Sequence, residues 1–249
     1  MGRGLFITGT DTGVGKTLVA CGLAFALRGL GRKVGVMKPV ETGCAEKEGK
    51  LFPQDASYLK DASGCEEPLQ KICPYRFPIP LAPSVAAQRA GVTIDLSLLC
   101  ELYDEISSAH GITLVEGAGG LLVPLQSRCT TADLVRMLKL PLVVVVANRL
   151  GALNHALLTL EHASCLGLPV LGYILNHMES LPSPAAETNA RTLQSLTSHT
   201  CLGEIPFLTP EQLNGSRPET KPSLLTALFQ ERLDLRLLEA TLQQEQSQP

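Results

Sequence analysis

Gly9-Thr10-Asp11-Thr12-Gly13-Val14-Gly15-Lys16-Thr17 decides the fold. The apolar run Leu5-Phe6-Ile7 precedes this stretch, and a helix-period segment from Lys16 to Arg28 follows it. A strand, a glycine-rich turn and a helix in that order make a phosphate loop. Glycines let backbone N–H groups face an anion, and the start of the helix adds its positive end. Gly13, Val14 and Gly15 would supply those N–H groups. Lys16 stands where the lysine of such a loop reaches the β- and γ-phosphates of ATP, and Thr17 where a hydroxyl meets Mg²⁺. Five residues separate Gly9 from Gly15, one more than in the usual G-x-x-x-x-G-K-[ST], so Thr10 takes the first-glycine place and the flanking strand and helix carry the assignment.

Outward from the loop, short apolar runs alternate with helix-period segments. The runs are Lys33 to Val36, Ile112 to Val115, Leu142 to Val146, Val170 to Leu175 and, more weakly, Cys201 to Ile205. The helical segments are Asp95 to Ala109, Thr131 to Leu138, Leu153 to Leu166, Ala185 to Ser198 and Leu224 to Leu242. Continuous apolar strands imply burial on both faces, as in a parallel sheet covered by helices. The expected fold is α/β: a doubly wound, mostly parallel sheet flanked by helices, with ligands at the carboxyl ends of the strands. One domain over residues 1–249 is expected, with 243–249 a frayed glutamine-rich tail. Between Gly43 and Gly91 the pattern weakens and prolines accumulate, which predicts an insertion lying over the site.

Composition narrows the function. The net charge of -3 gives no broad cationic field, so nucleic acid and anionic membrane surfaces are not expected partners. No apolar run approaches the roughly 20 residues of a membrane helix. The eight cysteines include no C-x-x-C pair or zinc spacing, and the start has no export-type apolar region, so reduced thiols in a cytoplasmic protein are expected.

Two further motifs belong with the loop. Val115-Glu116-Gly117-Ala118-Gly119-Gly120 puts an acid at the end of a buried strand, a position suited to a metal ligand. Lys38-Pro39-Val40-Glu41-Thr42-Gly43 puts a cation and a hydroxyl after the second strand. With Gln54-Asp55-Ala56, Leu150-Gly151-Ala152-Leu153-Asn154-His155, Leu175-Asn176-His177 and Gly203-Glu204-Ile205-Pro206, the ordered series from about Leu5 to Glu211 resembles the dethiobiotin synthetase family. These are ATP-dependent cyclo-ligases that close the ureido ring on the way to biotin.

The resemblance implies roles residue by residue. Thr12, Lys16, Lys38 and Thr42 would surround the carbamate and the γ-phosphate as the catalytic set. Thr17, Asp55 and Glu116 would hold Mg²⁺. Asn176 and the segment from Pro206 to Glu211 would recognise adenine and ribose, joining Gly13, Val14, Gly15, Lys16 and Thr17 as the nucleotide site. Thr12, Lys38, Thr42, Gly119 and Asn154 would contact the diaminopelargonate and the CO₂-derived carbamate. Asn154 would come from the start of a helix on a second subunit, implying a homodimer with a shared site. Two departures stand out: Gly13 replaces a glutamate found in many relatives, and Ser183 to Glu187 lacks a tyrosine that some relatives place near the substrate carboxylate. The alternative classes are a partitioning or septum-site ATPase switch, which places a lysine just after the first glycine where this chain has Thr10-Asp11, and a related ATP-dependent amide ligase.

Overall fold

The computed structural model describes residues 4–181, 183–209, 211–212 and 221–238, with backbone only for 221–223. Six parallel strands form the central sheet: β1 (Gly4–Gly9), β2 (Val34–Met37), β7 (Ile112–Glu116), β8 (Leu142–Asn148), β9 (Val170–His177) and β10 (Cys201–Ile205). Their spatial order is β10-β9-β8-β1-β7-β2. The chain thus winds from β1 to one side through β2 and β7 and to the other through β8, β9 and β10. The loop after β1 lies where the winding reverses, which is the ligand crevice of such sheets.

Burial explains why these runs are strands. In β8, Val143 and Val145 pack into one core with α1 (Lys16–Gly29), while Val144 and Val146 pack into another with α7 (Ala152–Cys165). In β1, Leu5 and Ile7 face the first core and Phe6 a third, shared with α5 (Leu96–Ser108) and α6 (Thr131–Leu138). The period of two sends neighbours to opposite faces, and both faces are dry, so the strands are apolar apart from a few buried polar residues such as Thr8 and Thr113. Helix starts follow local chemistry. Asp95 accepts from the Ser97 and Leu98 N–H groups to open α5, and Thr130 and Asp133 form a capping box at α6.

The proline-rich stretch is more ordered than its pattern suggests. Just after β3 (Val40–Thr42), it holds the hairpin β4 (Ala45–Lys47) and β5 (Lys50–Phe52), α2 (Gln54–Ser63), α3 (Leu69–Ile72), β6 (Tyr75–Phe77) and α4 (Pro83–Arg89). Strands β3 and β6 pair in parallel as a small second sheet. Elements this short carry too few residues for either period to show. Helix α8 (Pro184–Leu196) ends two residues before the predicted Ser198.

The C-terminal expectation needs a correction. One helix over Leu224 to Leu242 is predicted, but α9 (Lys221–Arg232) stops, and Leu233 makes an antiparallel bridge to Gly203 before a further helical turn at 235–238. The open edge of β10 outcompetes helix propagation here, since the Asp234 N–H donates to the Leu202 carbonyl at 2.9 Å. Residues 239–242 and the tail 243–249 lie outside the described residues. No described helix is long and apolar enough to cross a membrane.

Helix α9 lies on α1, where the Phe229 ring closes over Gly22 and a Cβ at Gly22 would meet ring carbons at 2.1 to 2.3 Å. Replacing a mid-helix glycine by alanine gains at most about 1 kcal/mol of helix propensity, whereas overpacking a filled core costs about 1–3 kcal/mol. Gly22→Ala is therefore expected to destabilise the protein despite its better propensity, by about 1–2 kcal/mol. A urea midpoint above that of the wild type would show that α9 does not hold this position.

Candidate functional site

Strand register assembles the site. Because Met37 of β2 lies beside Val115 of β7, the next residues, Lys38 and Glu116, emerge together at the sheet's carboxyl end. Ile7 of β1 neighbours Glu116 on the other side, so the phosphate loop begins at the same edge. The Gly117 N–H donates to the Ile7 carbonyl at 3.0 Å and the Thr10 N–H to the Val145 carbonyl at 3.0 Å, which pins the loop between β7 and β8.

Four of the expected residues meet there. Lys38 Nζ donates to Glu116 Oε1 and, at 3.2 Å, to Asp55 Oδ2. The Thr17 hydroxyl donates to the same Glu116 Oε1 at 2.8 Å. Lys16 reaches back over the loop, its Nζ 2.8 Å from the Asp11 carbonyl. The Lys38 and Glu116 side chains are 4 % and 1 % exposed, so this ion pair is shielded from water and its geometry decides its energy. Burial alone would lower the Lys38 pKa, but the Glu116 and Asp55 carboxylates outweigh it and hold the ammonium above its ordinary value. Lys16 behaves oppositely: burial, seconded by the Lys38 charge, lowers its pKa to about 8 against the weaker pull of Glu116, Asp55 and Asp11.

The donor set also suits a hard cation. Glu116 Oε2 is buried with no hydrogen-bond partner, and a second carboxylate, Asp55, and a hydroxyl, Thr17, lie alongside. Oxygen donors of this kind suit Mg²⁺, which is held by one or two carboxylates together with phosphate oxygens and needs no all-protein cage. Among the described residues there is no group of three or more His, Cys, Asp or Glu that could hold a metal ion. The anion side fits as well. Gly13 and Gly15 have φ of 74° and 90°, and a Cβ at Gly9 would lie 3.1 Å from Lys16 Nζ, so the loop backbone is bare toward the lysine.

The remaining expected residues relate to this cluster in different ways. Gly119 faces Thr12: a Cβ placed there would lie 3.5 Å from the Thr12 hydroxyl. Asn176, near the end of β9, donates through Nδ2 to the Val14 carbonyl at 2.9 Å, joining the far strand to the loop. Pro206 follows β10, whose Ile205 is in register with Asn176. Thr42, Asn154 and Glu211 share no hydrogen bond with the cluster. Thr42 ends β3, Asn154 is exposed in the first turn of α7, and Glu211 is exposed and bonds Thr209.

Sequence reasoning passed over two groups. Glu41, inside the Lys38 to Gly43 motif, accepts from the N–H groups of Asp55 and Ala56 at 3.0 Å each. Asn148, the last residue of β8, donates to the Ala186 carbonyl, while Asn189 donates to Asn148 Oδ1 and to the Arg149 carbonyl, tying the starts of α7 and α8 together. The signal for Asn148 is a polar residue closing a fully apolar strand; for Glu41 no spacing announces its partners.

Comparison with known proteins adds identity to this geometry. A family model described as an AAA domain matches residues 3–213. The ATP-dependent dethiobiotin synthetase BioD of Anaeromyxobacter dehalogenans (strain 2CP-C) is 45 % identical over 205 residues, covering 82 % of this chain and 90 % of the relative. The chain belongs to the dethiobiotin synthetase family. The synthetase of Thermodesulfovibrio yellowstonii is 38 % identical over 217 residues (84 % and 90 % covered), and that of Bacillus subtilis (strain 168) is 37 % identical over 206 residues (83 % and 88 %). Among solved structures, the septum site-determining protein MinD of Pyrococcus horikoshii, complexed with Mg-ADP, superposes with a TM-score of 0.57 at 19 % identity, covering 93 % of this chain and 95 % of MinD. A ParA family ATPase of Chlorobium tepidum does so with a TM-score of 0.53 at 15 % identity, covering 92 % of each chain. At that identity these neighbours report a shared fold. The sequence likeness lies with the synthetases.

Gly15 is a position in the loop where this dethiobiotin synthetase family member tolerates substitution poorly. It combines a φ of 90° with a Cβ position 2.1 Å from Asn176 Nδ2. Gly15→Ala brings backbone strain of about 1–3 kcal/mol and displaces Asn176. Affinity for a non-hydrolysable ATP analogue is expected to fall at least about tenfold, that is about 1.4 kcal/mol. Calorimetric titration giving wild-type affinity would show that the loop does not bind the nucleotide as described.

Proposed function

We propose that this chain performs the family's reaction, the ATP- and Mg²⁺-dependent carboxylation of 7,8-diaminopelargonate and closure of its ureido ring to dethiobiotin. The observation that carries the reading is the buried Lys38, brought from β2 to the carboxylates beside the phosphate loop. Delivering a phosphoryl group to a carbamate requires two anions to be held together, and one lysine on each side supports that task.

CO₂ and one amine of the substrate give a carbamate. Its oxygen attacks the γ-phosphate, forming a carbamic-phosphoric mixed anhydride and releasing ADP, and the second amine then displaces phosphate as the ring closes. Negative charge sits on oxygen at every stage, so fixed positive groups are the main catalytic lever. The N–H groups of Gly13, Val14 and Gly15 cradle the phosphates, and Lys16 leaves its resting bond to the Asp11 carbonyl to reach them. An ammonium has three donors; Lys38 uses two on Glu116 and Asp55, and the third is available to the carbamate. Thr12, Thr42 and the backbone at Gly119 bind its remaining oxygens. Thr17, Asp55 and Glu116 would hold Mg²⁺, which would supply neutralisation of charge on the transferring phosphoryl group.

Base recognition follows from Asn176. Its Nδ2 is committed to the Val14 carbonyl at 2.9 Å and the Met178 sulfur at 3.3 Å, which leaves Oδ1, buried and unpartnered, as an acceptor. An acceptor matches the amino group of adenine and opposes the carbonyl of guanine. Pro206, which follows Ile205 at the end of β10, and Glu211 would serve the base and ribose.

The reading also includes a homodimer, a single domain and a cytoplasmic setting. Supporting the dimer, Leu150 and Leu158 at the start and along α7 are 86 % and 62 % exposed, an apolar surface next to the free N–H groups that would receive a partner's substrate carboxylate through Asn154. Leu158→Glu is expected to give a monomer by sedimentation and a sharp loss of ring closure. A dimer that survives this change would place the contact elsewhere.

The direct test uses 7,8-diaminopelargonate, labelled bicarbonate and MgATP. Label is expected in a cyclic urea with one ATP consumed per ring; ATP consumption without labelled product would overturn the reading. Lys38→Gln is expected to lower single-turnover ring closure roughly 10²-fold or more while ATP affinity changes little, since Lys38 acts chiefly on charge developing in the transition state. Lys16→Gln should lower both. Unaltered turnover in Lys38→Gln, with its fold verified by melting, would remove Lys38 from the chemistry.

A further inference from the structure

We infer that Glu41 is a positioning residue that sets Asp55 by capping the helix Asp55 stands on, so that it governs how tightly the site holds its divalent cation. The inference rests on the proposed role of Asp55 as a ligand, and it concerns a residue for which that reading assigns no task.

The first N–H groups of a helix lack intrahelical partners and need a cap. Helix α2 has none of its own, since it begins after Pro53, which offers no side-chain hydrogen bond. Glu41, fourteen residues before Asp55 and on β3, fills the need with both carboxylate oxygens: Oε1 accepts from the Asp55 N–H and Oε2 from the Ala56 N–H, each at 3.0 Å. The residue is 6 % exposed. It is also rigidly based, because Val40 is in the core and Glu41 is in register with Arg76 of β6. Burial raises the Glu41 pKa and the two N–H groups pull it back, so the carboxylate's charge depends on the helix as the helix depends on it.

A capping carboxylate far in sequence would ordinarily be counted as a modest contribution to stability and nothing more. Here one of the capped N–H groups belongs to Asp55 itself, whose side chain lies 3.2 Å from Lys38 and shares that lysine with Glu116. Any slackening at the start of α2 therefore moves a candidate metal oxygen directly. Lys38 and Glu41 also sit three residues apart in one segment, so the segment that delivers the cation also fixes the carboxylate across from it. Hydrogen-bonded support of a ligating carboxylate is commonly worth 10- to 100-fold in metal affinity.

The test measures Mn²⁺ binding by electron paramagnetic resonance in the presence of a non-hydrolysable ATP analogue, for the wild type, E41A, E41Q, D55N and the E41A/D55N pair. E41A is expected to weaken Mn²⁺ binding about tenfold, and E41Q, which keeps the shape but turns one acceptor into a donor, several-fold. In the D55N background E41A should add less than about twofold, because the effect passes through Asp55. Mn²⁺ affinity of E41A equal to the wild type, or a full tenfold further loss on top of D55N, would overturn the inference. If E41A does not fold, E41Q at unchanged circular dichroism carries the same comparison. Because the readout is ion binding, a wild type that binds Mn²⁺ and nucleotide but makes no cyclic urea would count against the proposed reaction and leave this inference standing.

Discussion

The buried ion pair between Lys38 and Glu116 is the constraint on which the rest of the site depends. Neither side chain has water to fall back on, and the pair joins two neighbouring strands at the level where the phosphate loop begins. Removing one member would strand the other's charge in the interior, a change that typically costs about 3–5 kcal/mol. The surroundings are accordingly built to satisfy it: Thr17 donates to the same carboxylate oxygen, Asp55 shares the lysine, and Glu41 anchors the helix bearing Asp55. The site is one connected set of charges in which the identity of each side chain is justified by the next.

Its two lysines illustrate how environment differentiates like groups. Lys38 is raised by two carboxylates against its burial, and Lys16 is lowered by burial and by Lys38 itself. Paired carboxylates secure the charge of the first, while the second sits in drier surroundings beside another cation and holds its proton less firmly.

Much of this was legible in the sequence because it depends on local order. The spacing from Gly9 to Thr17 announced a turn between strand and helix, and the all-apolar β8 announced a sheet buried on both faces. The convergence of Lys38, Asp55 and Glu116 could be anticipated through family likeness but not through spacing, since it depends on strand register between segments 78 residues apart. Glu41 stayed invisible because its two partners are backbone N–H groups, which carry no side-chain signature. The overlong prediction for the last helix has a different cause: helical periodicity within 224–242 says nothing of a neighbouring strand edge, and the Leu202 carbonyl claimed the Asp234 N–H.

The strap made by α9 and Leu233 bears on how much of the chain the core draws on. The family model stops at residue 213, yet Leu225, Phe229, Leu233 and Leu238 all belong to the core built around α1. Cutting the chain at the family boundary would leave a hydrophobic trench along α1 and free the backbone of β10 on its outer side, the arrangement by which sheets recruit further strands. Such a fragment would keep every residue of the nucleotide crevice and still tend to stack with copies of itself. In this protein, colloidal behaviour is written into a segment remote from the chemistry.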